Sequence, residues 1–307
     1  MITFYQKTVT TRRLKTVEEF KVGSWVHVED PSEEDLLKLE RDLGLDRGLL
    51  LDAVDPYEVP RVEEYHGTTY IFTRIPYEEG EKISTAPILL GVAESFVFTV
   101  SRKKLAFFDR FVDGSIEFNT TQKVRFMLHM LSEVDSAYAR FITLINKEVR
   151  RLSARLSGTI ENKDIIRFVN FETILNDLLD ALVPTNSALS KLLSGKFLSL
   201  RDEDKVYAED VFLSNGQLVE LCKTNLRAIM NIRNAYSTIM TNNLNRVIKL
   251  LTALTIIFML PNIIVGMYGM NVPLPFADSP HAFWIIIVMG AGFTVGALWL
   301  FKSKELL

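Results

Sequence analysis

Few residues in this 307-residue chain are placed to act on a ligand, and the most suggestive four are Tyr268-Gly269-Met270-Asn271. They end a long apolar stretch, and a second apolar stretch follows after a short loop. Alone the tetrapeptide says little. At the mouth of a membrane helix, its amide meets whatever passes. Upstream, alternating steps of three and four from Asn245 reach Ile248, Thr252, Thr255, Met259, Asn262, Gly266 and Gly269. This seam gathers most of the polar and small residues of the stretch. A lipid-facing seam would be Leu and Ile, whereas a polar one faces other helices or water. Hydrogen bonding between helices by Thr and Asn is one account of it. Asn at both ends of the seam and the turn that caps it favour a pore.

A pore of this kind suits a hydrated cation. Mg²⁺ dehydrates reluctantly and keeps several waters. A neutral ring of Asn271 amide oxygens accepts hydrogen bonds from that water shell, whereas a carboxylate ring would bind more tightly and slow exit. The membrane potential supplies the drive, since moving two charges across about 100 mV is worth about 4.6 kcal/mol. Neither stretch carries a proton-transferring side chain, which disfavours a proton-coupled pump and suggests a passive, gated conduit. One copy with two spans cannot enclose a channel. Several copies must assemble, with the first span inside and the second outside. In the second span Gly292 and Gly296 stand four apart, with Gly290 and Ala297 nearby, so it can pack closely.

The elements that position the seam are two spans, about 247–268 and 283–301. Leu250–Met267 and Phe283–Phe301 contain no Asp, Glu, Lys, Arg or His. Each approaches the ~20 residues that cross a ~30 Å hydrocarbon layer. Trp284 and Trp299 bracket the second span as an aromatic belt, and Lys302 and Lys304 follow. Arg246 and Lys249 precede the first, while the loop Gly269–Ala282 has no Lys or Arg. By the positive-inside rule both termini are cytoplasmic, in a multi-pass protein of the cell membrane.

The remainder reads as two cytoplasmic regions. Residues 1–115 are expected to form an α/β domain, with strand-like runs at Trp25–Val28 and Thr69–Thr73 and a hairpin pair over Ile88–Ser101, broken near Glu94-Ser95. Ser32 with Asp35 three residues on announces a capped helix. Residues 116–245 read as a helical stalk. Val124, Met127, Leu128, Leu131 and Val134, then Tyr138, Phe141, Ile142 and Ile145, recur at helical spacing. A second helix spans about Lys163–Leu193, with Pro184 inside it. A third starts near Asp202 and meets no proline until Pro261. Near 65 residues of helix would be roughly 95 Å long and would run into the first span, residues 246–307 forming the transmembrane domain.

Other chemistries find little support. A formal charge of −3 with no basic stripe argues against nucleic acid. The single cysteine, Cys222, permits no internal disulfide and reads as an apolar filler on a helix. Met1–Val9 has no continuous apolar core of a signal peptide. His27, His66, His129 and His281 are scattered, and the acidic runs at Glu33–Asp35 and Asp202–Asp204 open helices. No phosphate-cradling loop, nucleophile elbow or cysteine cluster is present, so an enzyme is not expected and no organic cofactor is implied.

With these motifs the chain resembles the CorA-type magnesium transporter family over essentially its whole length, the N-terminal part in scattered positions. The resemblance rests on Tyr268-Gly269-Met270-Asn271, on Pro261 within the first span and on the basic tail. It also rests on Leu51-Asp52, Pro60-Arg61-Val62-Glu63, the strand around Tyr70, and Tyr207-x-x-Asp210-Val211. It implies a funnel-shaped homopentamer in which Gly269, Met270 and Asn271 form the outer selectivity filter. Asn245, Ile248, Leu251, Thr252, Thr255, Met259 and Asn262 would line the pore. It further implies that Mg²⁺ is both cargo and regulator, and that Asp52 and Asp210 hold regulatory Mg²⁺ between subunits, closing the pore when internal Mg²⁺ is plentiful. Two departures stand out. The outer loop reads Val272-Pro273-Leu274-Pro275-Phe276 rather than a Met-Pro-Glu run, with Asp278 as replacement acid beside His281, and Asn234 stands where some members carry an inner acidic ring. Met270 favours the magnesium branch over the zinc branch and leaves Co²⁺ or Ni²⁺ passage open. The competing class is a membrane-anchored sensor or scaffold that conducts nothing.

Overall fold

A computed structural model describes residues 1–9, 13–80, 82–154, 162–276 and 279–304; Asp278 lies outside the described residues. The chain divides into two compact units, Met1–Asn231 and Ile232–Leu307.

The first unit is built on one seven-stranded sheet. Its strands are β1 (Ile2–Gln6), β2 (Lys15–Val17), β3 (Trp25–Glu29), β4 (Arg61–Tyr65), β5 (Thr68–Glu79), β6 (Lys82–Val92) and β7 (Val97–Ser101). They lie in the order β2-β1-β3-β7-β6-β5-β4. All pairings are antiparallel except β3 with β7, where Trp25 lies opposite Val97 and Val28 opposite Val100. The run expected at Thr69–Thr73 belongs to a longer strand than its composition suggests. β5 extends to Glu79 and pairs with β6 down to Lys82, through Pro76 opposite Thr85 and Pro87 opposite Arg74. Both prolines are tolerated for one reason. β4 pairs only with Thr68–Phe72 and β7 only with Ile88–Val92, so each proline sits beyond the reach of the neighbour on its far side.

Strand alternation sends side chains to two helical layers. On one face Val26, Val28, Tyr70, Phe72, Leu89, Phe98 and Val100 pack with Leu36 and Leu39 of α1 (Glu33–Leu43) and Leu49 and Leu50 of α2 (Arg47–Asp52). Ser32 caps α1 in a reciprocal capping box with Asp35, and Gly44 closes it in the left-handed conformation. A Cβ on Gly91 would lie 1.9 Å from the Phe98 ring, so this cross-strand contact requires glycine. On the other face the Trp25 ring is surrounded by Phe108 and Phe111 of α3 (Ala106–Val112), by Phe118, and by Phe126 of α4 (Lys123–Ser153). Thr185 of α5 (Asn162–Leu193) bonds Thr73 of β5 at 3.1 Å, and the Tyr138 hydroxyl donates to the Arg74 carbonyl at 3.0 Å.

The helical stripe of the sequence is the core side of α4, where Met127, Leu128, Leu131, Val134, Tyr138, Phe141, Ile142 and Ile145 are buried. α6 (Asp202–Tyr268) is one helix of 67 residues that Gly216 does not interrupt; its residues to Asn231 belong to the first unit. There Asn186 donates to the Phe212 carbonyl at 3.1 Å, and Cys222 is fully buried, its thiol pushed up to about 12 by burial. The second unit contains the rest of α6 and α7 (Ala282–Ser303).

A buried polar pair joins α4 to α6 inside the first unit. Asn215, fully buried, donates to Asp135 Oδ1 at 2.8 Å, and Asp135 is itself only 3% exposed. Asp135 Oδ2 and Asn215 Oδ1 are both buried without a hydrogen-bond partner. Two acceptors are left and no donor, which is the deficit that a proton on the carboxyl relieves. Burial accordingly lifts the Asp135 carboxyl to about 7, against a smaller opposing effect of the Asn215 amide. The folded chain thus holds this proton more tightly than the unfolded one, so its contribution is complete below the ordinary aspartate range. That contribution is lost as pH rises through about 7. The penalty above that point is on the order of 4 kcal/mol. Thermal unfolding of the full chain in detergent checks this. Asp135→Asn should gain on the native chain as pH rises from about 5 to about 8, and a pH-independent difference would refute a neutral Asp135.

Candidate functional site

The second unit exposes most of its apolar surface. Past Ile232, only Ala253 and Ile257 are buried among the described residues. α6 and α7 are both long and apolar enough to cross a membrane. At 1.5 Å per residue the 22 residues of α7 rise about 33 Å, close to one hydrocarbon core.

α6 is two-sided in this region. Its less exposed residues are Ala253, Ile257, Leu260, Pro261, Ile264 and Tyr268. These form the stripe against which α7 lies: a Cβ on Gly290 would come 3.9 Å from the Pro261 Cβ. The less exposed side of α7 matches, with Ala282, Ile286, Gly290, Thr294, Ala297 and Phe301 at helical spacing. The α7-facing stripe of α6 and the polar seam stand on opposite sides. At 100° per residue, Thr252, Thr255, Met259, Asn262 and Gly266 centre roughly 180° from it. Asn245, Ile248 and Leu251 share the seam's side. All eight of these residues are exposed in the single chain.

The two glycines four apart on α7 make no close contact within the single chain. Gly292 and Gly296 face open space, with nothing within 4 Å of an added Cβ. They line an open apolar groove with Ile256 and Leu260 of α6. Trp284 and Trp299 turn away from α6 and are 65% and 71% exposed.

The side chains of the seam are free where they could meet water. Asn245, Asn262 and Asn271 have no hydrogen-bond partner among the described residues, whereas Thr255 donates back to the Leu251 carbonyl at 2.8 Å. Met259 is 59% and Met270 60% exposed. α6 ends in a tightened turn, with the Gly269 N–H shared between the Val265 and Gly266 carbonyls and the Met270 N–H on the Met267 carbonyl. Asn271 follows directly. The Tyr268 hydroxyl donates to the Pro275 carbonyl at 3.0 Å and so ties the loop back to the helix end. In the sequence Tyr268 stands out only as part of the motif; its anchoring role carries no signature beyond a polar tip on an aromatic ring.

The two candidate regulatory acids are in different situations. Asp52 ends α2 and is ion-paired with Arg61 at 2.7 Å, its side chain 45% exposed. The same guanidinium contacts Glu58 and Glu63 and lies 4.2 Å over the Phe72 ring. A cation at Asp52 therefore competes with a fixed positive charge. Asp210, on α6, is exposed and has no hydrogen bond or ion pair among the described residues. No direct contact joins the two, and no group of three or more His, Cys, Asp or Glu suited to a metal occurs among the described residues. Arg61 stands in the sequence only within the Pro60-Arg61-Val62-Glu63 run, and its pairing with Asp52 is made by folding.

Comparison with known proteins agrees with this architecture. The "Cobalt/magnesium transport protein CorA" of Methanocaldococcus jannaschii is 26% identical over 276 residues, covering 86% of this chain and 85% of that protein. The protein of the same name from Thermotoga maritima is 21% identical over 314 residues, covering 98% and 88%. The complete structure of the CorA magnesium transporter from M. jannaschii superimposes with a TM-score of 0.89 at 20% identity, covering 100% of this chain and 99% of that one, which establishes a shared fold. A family model described as CorA-like Mg2+ transporter protein matches residues 20–303. With nearly the whole chain inside that match, the protein belongs to the CorA-like family of Mg²⁺ transporter proteins.

Proposed function

We infer that the chain is a divalent-cation channel of the cell membrane that admits Mg²⁺ down its electrochemical gradient. What carries this reading is the two-sidedness of α6: α7 covers one side, and the unpartnered amides of Asn245 and Asn262 stand on the other with Thr252, Thr255 and Met259. An amide turned to hydrocarbon without a partner costs several kcal/mol, so the seam must turn to water or to sister helices. Several copies arranged with α6 inside and α7 outside meet that demand, and a homopentamer of funnel shape is the assembly the family resemblance implies. Both termini are cytoplasmic in this arrangement.

In such an assembly Gly269, Met270 and Asn271 surround the outer mouth. The Asn271 amide oxygens accept hydrogen bonds from the water shell of the ion, and the Tyr268–Pro275 bond holds the loop that follows. Below them Asn262 repeats the amide, and Met259, Leu251 and Ile248 narrow the path to an apolar stretch that gates by dewetting. Asp210 is the freer of the two regulatory candidates. Asp52 takes part only where a neighbouring subunit helps displace Arg61. Bound Mg²⁺ between subunits then stabilises the closed state by binding it more tightly than the open one. The names of relatives, which pair cobalt with magnesium, favour Co²⁺ as a second cargo.

Three measurements test the reading. Asn271→Ala should cut Mg²⁺ uptake into proteoliposomes by about tenfold or abolish discrimination against Co²⁺, Ni²⁺ and Zn²⁺; unchanged flux and selectivity would remove it from the filter. Met259→Asp should derange conduction while the soluble unit keeps its circular dichroism, and normal conduction would move the narrow stretch elsewhere. Asp210→Asn combined with Asp52→Asn should abolish Mg²⁺-dependent protection from protease, whereas intact protection would assign regulation to other residues.

A further inference from the structure

A cavity of about 610 Å³ opens in the first unit between β5, the start of α3 and the middle of α4. This volume falls within the range that holds small organic ligands. Its floor is apolar and buried, with Ile75, Leu105, Ala137 and Phe141 each at most 8% exposed. Tyr77 and Phe107 add aromatic walls, and Lys103 lies over the Tyr77 ring at 3.5 Å.

The rim is cationic. Lys104, Arg110 and Arg140 line it, against a single acid, Glu78. Arg110 is already held by Glu133 at 2.6 Å. Lys104 and Arg140 are exposed and have neither a hydrogen bond nor an ion pair among the described residues. Two cations without a direct hydrogen-bonding or ion-pair partner among the described residues, Lys104 with only the more distant Glu29 charge nearby, therefore overlook an apolar, aromatic-walled recess. Nothing in the folding of the sheet requires that pairing, since neither cation satisfies a buried acceptor.

From this geometry we propose that the cavity binds a nucleoside polyphosphate, its base against Tyr77, Phe107 and Phe141 and its phosphates on Lys104 and Arg140. Each part of the ligand has a counterpart. A flat ring gains from aromatic and aliphatic walls, and a guanidinium matches phosphate oxygens in two parallel hydrogen bonds while an ammonium adds a point charge. A free phosphate would use the rim and waste the floor; a neutral nucleoside would do the reverse. The site lies in the sheet-bearing unit and uses none of the seam, filter or regulatory candidates.

The test is equilibrium dialysis of the full-length protein in detergent, in EDTA so that ATP is free of Mg²⁺. ATP should bind saturably, and both tripolyphosphate and adenosine should bind at least about tenfold more weakly. The double variant Lys104→Gln, Arg140→Gln should weaken ATP by about tenfold or more while eluting as the native oligomer. Photolabelling of the native protein with an azido-ATP should modify peptides covering residues 75–78, 104–110 or 137–144, which gives a readout that does not depend on the variant folding. Absence of saturable ATP binding would overturn the proposal. So would equal binding of tripolyphosphate, an unweakened variant, or label confined to other peptides.

Discussion

A hydrogen-bonding group that has left water must find a partner, and hydrocarbon offers none. That constraint organises the second unit. It makes the backbone helical wherever lipid can reach, and it sets the less exposed stripe of α6 apart from the exposed side that carries Thr252, Thr255 and Asn262. Asn262, inside the first span and without a partner among the described residues, is costlier than Leu wherever lipid surrounds it. The helix partner is correspondingly plain. α7 comes near α6 at Gly290, where an added Cβ would lie 3.9 Å from the Pro261 Cβ.

Inside the first unit the same constraint is met by partners in the protein. Trp25 and His27 share the Thr99 hydroxyl at 2.9 and 2.8 Å, so one threonine serves two rings buried on the same face. Arg74 spreads its donors over the carbonyls of Pro56, Glu58 and Thr85, and with its charge half-withdrawn from water it fixes the loop before β4. Among the described residues only the Asp135–Asn215 pair leaves atoms of both members unmatched, and it does so between α4 and α6. A proton completes that account.

Helices were far more legible than strand neighbours. The stripe from Met127 to Ile145, the capping residues Ser32 and Asp35, and the uninterrupted run from Asp202 to Tyr268 are local signals, each written within a few turns of the residues that use it. β1, β2 and β4 passed unread because they are short, part-exposed and lack a continuous apolar pattern; their partners decide that they are strands. The same distinction applies to the sites. The seam and the filter motif are periodic or contiguous, hence visible. The Arg61–Asp52 pairing, the Tyr268–Pro275 tether and the cationic cavity depend on residues brought together only by folding.

The single parallel pairing in the sheet has a consequence for biosynthesis. β1, β2 and β3 make a three-stranded ribbon of strands near in sequence, and β4 to β7 make a meander of local hairpins. The two halves are sewn together only where β3 meets β7. Until β7 leaves the ribosome, the backbone of β3 presents an open edge, and the Trp25 face, which α3 and α4 cover, has no lid. Long-range closure of this kind is slow relative to hairpin formation. The nascent N-terminal third is therefore the stretch most in need of shielding from copies of itself on neighbouring ribosomes.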